Sequence, residues 1–164
     1  MIVSIVIRTL NESIYLDELL QSINKQVKGD FNIETVIIDS GSTDGTLKIA
    51  ESHGCRITSI TKAEFTFGRS LNMGSDFANG DVLVYISGHC IPTNDTWLKE
   101  LIKPILERKA GYTYGRQIGR DSTKFSESKI FEKYYPKESK IPQSDFFCNN
   151  ANSAISREVW LKYK

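Results

Sequence analysis

No stretch of this 164-residue sequence approaches the roughly 20 consecutive apolar residues that cross a bilayer. The opening run Ile2-Val3-Ser4-Ile5-Val6-Ile7 is too short for the core of a secretory signal and runs straight into Arg8. Cysteine is scarce. Cys55, Cys90 and Cys148 are odd in number, far apart and never in a C-x-x-C pair, which argues against a disulfide framework or a cysteine-rich zinc site. Reduced thiols in a soluble, cytoplasmic protein are the simple reading, with a parent protein at the inner face of the membrane also compatible. An excess of one charge is missing as well: 21 basic against 20 acidic side chains leave +1. That balance gives no broad electrostatic reason for a nucleic-acid partner or an anionic membrane surface, so any bound anion must be gripped locally. Several chemical signatures are also absent. There is no G-x-x-x-x-G-K-[ST], no G-x-G-x-x-G, no H-E-x-x-H and no G-x-S-x-G. His53 and His89 are the only histidines, so a histidine-based triad has few candidates.

What is present is a core. Hydrophobic residues make up 40% of the chain, enough for one domain spanning residues 1–164. Two periods alternate through the first half. Ile2 to Ile7 is a β-branched run suited to a strand buried on both faces, and Ile33 to Ile38 repeats it. Between them Leu16, Leu19, Leu20 and Ile23 form one helical stripe, ending near Gly29. Thr46 to Ser52 predicts a short helix closed by Gly54, and Cys55 to Ile60 a weaker strand. Gly68 to Ala78 reads as a helix with Leu71 and Phe77 inward, followed by a buried strand over Val82 to Ile86. Asn94 or Asp95 can cap a helix carrying Trp97, Leu98, Leu101, Ile102 and Ile105. This succession predicts βαβ units: an α/β fold with a mostly parallel sheet and helices on both faces.

Beyond Lys109 the pattern loosens. Tyr112 to Ile118 can form a strand, and Asp121 to Pro142 is polar enough for a loop or short helix. Phe146-Phe147 begins another ordered stretch, and Ser153 or Ser156 starts a helix carrying Val159 and Trp160.

In an open parallel sheet, ligands gather at the carboxyl ends of the strands. The polar segments there are Thr9-Leu10-Asn11-Glu12, Asp39-Ser40-Gly41-Ser42 and Ser87-Gly88-His89-Cys90. Each follows a β-branched strand, and that clustering is the main physical clue to a site.

The residues in these segments carry a resemblance. Ile5-Val6-Ile7-Arg8-Thr9-Leu10-Asn11-Glu12 resembles the opening of family 2 glycosyltransferases, which usually have Pro where Arg8 stands. Val36-Ile37-Ile38-Asp39-Ser40-Gly41-Ser42-Thr43-Asp44-Gly45-Thr46 is similar to that family's second signature, and its Asp-Ser-Gly-Ser variant resembles a rhamnosyltransferase-like branch. Phe67-Gly68-Arg69-Ser70-Leu71-Asn72-Met73-Gly74, Tyr114-Gly115-Arg116-Gln117 and Asn150-Ala151-Asn152-Ser153 add to it. Any one segment is weak; their order and spacing together are specific.

The resemblance implies a Rossmann-like GT-A fold that takes a nucleoside-diphosphate sugar, dTDP- or UDP-linked. The sugar would pass with inversion to the hydroxyl of a glycan or lipid-linked acceptor, in cell-surface polysaccharide assembly. Thr9, Asn11 and Glu12 would line the nucleoside pocket, and Asp39, with Ser40 beside it, would accept the N3–H of uracil or thymine. Arg69 would contact the diphosphate and Ser87 would border it. Two departures bear on the chemistry. The family's Asp-x-Asp, whose last carboxylate binds a divalent metal such as Mn2+ or Mg2+, is here Ser87-Gly88-His89, which puts His89 at the metal-ligand position. His89 can hold a softer metal, substitute for the metal, or mark its loss. The general base of the family, a carboxylate often in an acidic pair, is expected beyond Lys164, so this piece is expected to bind donor and turn over little.

Plainer roles stand beside these. Thr9, Asn11 and Glu12 can cap the first helix, and Asp39 can brace its own turn. Arg69 can face solvent, and the Asn149 to Asn152 amides can brace a loop. A non-catalytic or degenerate nucleotide-sugar-binding module is the alternative to an active transferase.

Overall fold

The computed structural model describes residues 1–120 and 123–164. Asp121 and Ser122, the start of the segment read as a loop or short helix, lie outside the described residues. The elements run β1 (Ile2–Thr9), α1 (Leu16–Asn24), β2 (Asn32–Asp39), α2 (Thr46–Ser52), β3 (Arg56–Ser59), α3 (Phe67–Phe77) and β4 (Val82–Ser87). They continue with α4 (Trp97–Leu106), β5 (Tyr112–Tyr114), α5 (Phe125–Tyr134), β6 (Asn152–Ser156) and α6 (Arg157–Tyr163). One six-stranded sheet has the order β3-β2-β1-β4-β6-β5. The first four strands in that order are parallel, β6 pairs antiparallel with β4, and β5 pairs antiparallel with β6.

Alternation along β1 explains the layering. Val3, Ile5 and Ile7 point into a core shared with Leu16, Leu19 and Ile23 of α1 and with Leu98 and Ile102 of α4. Val6 points to the other face, where Leu71 of α3 and Trp160 of α6 close a second core. Burying both faces of β1 is what its dense β-branched run called for. Helix α3 lies close to the sheet because residue 74 is glycine: a Cβ there would sit 2.6 Å from Val6 Cγ1.

The expected α/β architecture is the one observed, with differences concentrated after α3. Phe77 is not inward; it is 37% exposed, with the Arg56 guanidinium 4.2 Å from its ring centroid. Helix α1 stops at Asn24, short of Gly29. The N-cap of α4 is Thr96, whose amide donates to Asn94 Oδ1 at 3.1 Å. Strand β5 is three residues long and leaves the sheet at Gly115, where a Cβ would meet the Asn152 side chain at 2.5 Å. Phe146 is fully exposed, and no strand or helix forms until Asn152. Ser153 does not start a helix: it lies in β6, and Ser156 alone caps α6, accepting from the Val159 amide at 3.2 Å. Ser153-Ala154-Ile155 is too short to show a period, so pairing with β4 and β5 on either side decides its conformation.

Candidate functional site at the carboxyl ends of the strands

The tips of β1, β2 and β4 adjoin because their registers align. Thr9 pairs with Asp39, and Arg8 pairs with Ile38 on one side and Ser87 on the other. Asp39 organises the β1–β2 junction. Its carboxylate accepts the Thr9 hydroxyl (2.8 Å), the Gly41 and Ser42 amides (2.8 Å each) and the Ser42 hydroxyl. Gly41 makes this turn possible, since its φ is +97°. Burial alone would raise the Asp39 pKa. The Ser42 hydroxyl and amide, the Thr9 hydroxyl and the Gly41 amide outweigh that and hold it below the ordinary carboxylate value. Asp39 is 2% exposed and its four acceptor positions are taken, so the turn-bracing role is realised in this geometry. Thr9 and Ser40 are buried with it.

The β1–α1 and β2–α2 loops are stitched to each other. The Asn11 amide donates to Ser42 Oγ (2.8 Å), and Asn11 Oδ1 accepts the Thr43 amide (2.8 Å). Glu12 and Ser13 donate backbone amides to Thr46 Oγ1 (2.8 Å) and Asp44 (3.1 Å). Asp44 is held well below the usual carboxylate range, chiefly by the Thr46 hydroxyl. Neither Thr9 nor Asn11 caps α1. The residue before that helix is Tyr15, which makes no side-chain cap, and Thr9 is bound to Asp39 instead.

His89 reaches the same rim. Its Nδ1 lies 3.2 Å from Glu12 Oε1, and its side chain is 59% exposed. Gly88 packs beneath the pair, where a Cβ would be 2.9 Å from Glu12 Cγ. Arg120 closes the group, donating to the His89 carbonyl at 3.3 Å with its guanidinium 4.4 Å from the Tyr15 ring centroid. Among the described residues no three His, Cys, Asp or Glu side chains gather to hold a metal ion. Glu12 and His89 offer one oxygen donor and one nitrogen donor. Those two donors alone leave most of a divalent cation's coordination to nucleotide phosphates and water.

Arg69 stands apart from these contacts. It is exposed at the first turn of α3, donating to the Glu64 carbonyl at 2.9 Å. The asparagine amides are braces: Asn149 accepts from the Ala151 amide (2.7 Å) and Asn152 from the Trp97 indole (2.9 Å). The site residues that sequence reasoning passed over are Arg8, Ser42, Tyr15 and Arg120. Arg8 carried a signal, being the one charge in β1; Arg120 carried none. Two hollows, of about 300 and 620 Å3, lie at the opposite edge of the sheet, beside Glu34 and Arg56 and beside Asp81 and Gly111.

The sequence matches glycosyl transferase family 2 over residues 4–163. The chain belongs to that family. An abequosyltransferase of Salmonella typhimurium is 52% identical over a match that covers 49% of this chain and 26% of that protein. The matched half of the chain thus spans about a quarter of the length of that curated relative. Among solved structures, a mannosyltransferase from Pyrobaculum calidifontis in complex with GDP-Man and Mn2+ superposes with a TM-score of 0.71 at 20% identity, over 98% of this chain and 46% of that one. Glucosyl-3-phosphoglycerate synthase from Mycobacterium tuberculosis in complex with UDP gives 0.67 at 22% identity, over 96% and 57%. These two likenesses establish the GT-A fold for this family 2 member. No helix among its described residues is long and apolar enough to cross a membrane.

Proposed function

We propose that this chain forms the donor-binding part of a glycosyltransferase that takes a sugar from a nucleoside diphosphate, dTDP- or UDP-linked, and passes it with inversion to an acceptor hydroxyl. The observation that carries the reading is the hydrogen-bonded union of the β1, β2 and β4 tips, with Thr9, Asp39, Glu12 and His89 on one rim. A nucleotide laid across that rim meets a polar floor whose backbone is already fixed. The N3–H of a pyrimidine gains a place on Asp39 when the Ser42 hydroxyl turns away. Ser42 can turn, because its oxygen also serves as acceptor for the Asn11 amide. Asn11, Ser40 and Ser87 border the ribose and phosphates, and the exposed Arg69 swings toward the diphosphate. A hexose donor, a glycan or lipid-linked acceptor and a role in surface polysaccharide assembly fit the rhamnosyltransferase-like signature at Asp39-Ser40-Gly41-Ser42. His89 meets the leaving phosphate directly, as a hydrogen-bond donor held by Glu12.

A second reading, a nucleotide-sugar-binding module without turnover, is favoured by one observation. Ser87-Gly88-His89 stands where the family has Asp-x-Asp, so no carboxylate occupies that position. Calorimetric titration with UDP, dTDP and GDP tests the binding claim. A clear preference for a pyrimidine diphosphate is expected, and equal or undetectable binding of all three overturns it. Release of nucleoside diphosphate in the presence of an acceptor separates the transferase from the module.

A further inference from the structure

Two half-buried arginines sit at opposite ends of α3, each against a phenylalanine of that helix. At its C-terminal end the Arg56 guanidinium lies 4.2 Å from the Phe77 ring centroid and 2.6 Å from Glu34 Oε1. At its N-terminal end the Arg8 guanidinium lies 4.6 Å from the Phe67 ring centroid, and among the described residues no carboxylate, carbonyl or hydroxyl accepts from it. A third half-buried arginine, Arg157, is satisfied by the carbonyls of Gly80, Ser75 and Ala78. Arg8 is the exception, and burial lowers its pKa with no compensating neighbour. Its five fixed donors are left to water, with no acceptor among the described residues, and are free for a ligand.

Its position says what the acceptor is. Arg8 stands on the central strand at the carboxyl rim, in register with Ser87, where neither Ser87 nor Gly88 brings a negative charge. Resting on the donor-site reading above, we infer that Arg8 is an anion-binding residue that takes the diphosphate of the nucleotide sugar directly. It supplies positive charge at the diphosphate, on a strand whose neighbours Ser87 and Gly88 bring none. The planar fork matches two phosphate oxygens at once, and the Phe67 ring backs it. No bond is made or broken by Arg8; it binds the leaving group's charge.

The test is titration of the intact chain with inorganic pyrophosphate in EDTA, followed by nucleoside diphosphate and the matching nucleoside. Wild type should bind pyrophosphate, and Arg8→Gln should weaken it at least tenfold while Arg56→Gln changes it less than twofold. Arg8→Gln should also erase the advantage of the diphosphate over the nucleoside. Should Arg8→Gln fail to fold, the Arg8 side-chain Nε–H resonance in wild type gives the same answer by shifting, or not, as pyrophosphate is added. No pyrophosphate binding in EDTA, binding unchanged by Arg8→Gln, or a silent resonance overturns the proposal. Nucleoside diphosphate that binds equally well to Arg8→Gln leaves the donor site standing without Arg8. Pyrophosphate bound through Arg8 with no affinity for any nucleoside diphosphate keeps the anion site and removes the donor reading.

Discussion

At the amino edge of the sheet the charges of Glu34, Arg56 and Asp81 are closed on partners. Glu34 accepts from the Ser4 hydroxyl, the Arg56 guanidinium (2.6 Å), and the Asn79 amide (2.9 Å) and side chain (2.7 Å), linking β1, β2, β3 and the turn before β4. At the carboxyl edge the backbone is held just as firmly, through Asp39 and Asp44, but the outward side chains are left open: Arg8 without an acceptor, His89 more than half exposed. The same helix and the same kind of aromatic backing serve both edges. What differs is whether the cation has its anion built in. A folding role explains the amino edge completely; the carboxyl edge has a scaffold explained by folding and a set of donors that is not.

The comparison can be broken first at the carboxyl scaffold. Asp39→Ala removes a 2%-exposed acceptor of four hydrogen bonds and strands the Thr9 hydroxyl, so it should cost about 3 kcal/mol in denaturant unfolding, with nucleotide binding lost. Next is α3: Gly74→Ala forces a methyl to within 2.6 Å of Val6 and should cost about 1–3 kcal/mol, read as a lower Tm. Smaller effects separate the two arginines. Arg56→Met leaves Glu34 without its counter-ion and should cost about 1 kcal/mol, whereas Arg8→Met should cost nothing or stabilise, because it removes a charge with no partner. The smallest effect concerns acid. Burial tends to raise the Glu34 pKa, yet the Asn79 amide, Ser4 hydroxyl, Arg56 guanidinium and Asn79 side chain bring it down from 4.5 to about 2. A carboxylate with a depressed folded pKa stabilises above its unfolded value, and that contribution fades as pH falls from about 4.5 toward 2. Unfolding curves of Glu34→Gln should therefore depend less on pH in that window than those of wild type.

The first four strands and three helices were legible because each carries a period of its own and β1 is apolar on both faces. Antiparallel β6 was hidden. Ser153-Ala154-Ile155 becomes a strand only through its neighbours β4 and β5, which local sequence does not record. Phe77 misled because an aromatic in a helical stripe reads as core, while here a guanidinium covers it. At the site, the residues that meet at the rim were named from strand ends, but their bonds were not. The saturation of Asp39 depends on where Ser42 and Thr9 point, and the cover that Arg120 gives His89 comes from a residue 31 positions away. Arg8 was visible as a departure from apolar patterning, yet its lack of an acceptor appears only in three dimensions.

The account stands on where a nucleotide lands. Backbone amide NMR of the uniformly labelled chain, followed during addition of a pyrimidine nucleoside diphosphate, measures this directly. Saturable shifts should gather at residues 8–12, 39–46 and 87–90, with Glu34, Arg56 and Asn79 unmoved. Shifts confined to the amino edge, or none at saturating nucleotide, would contradict it.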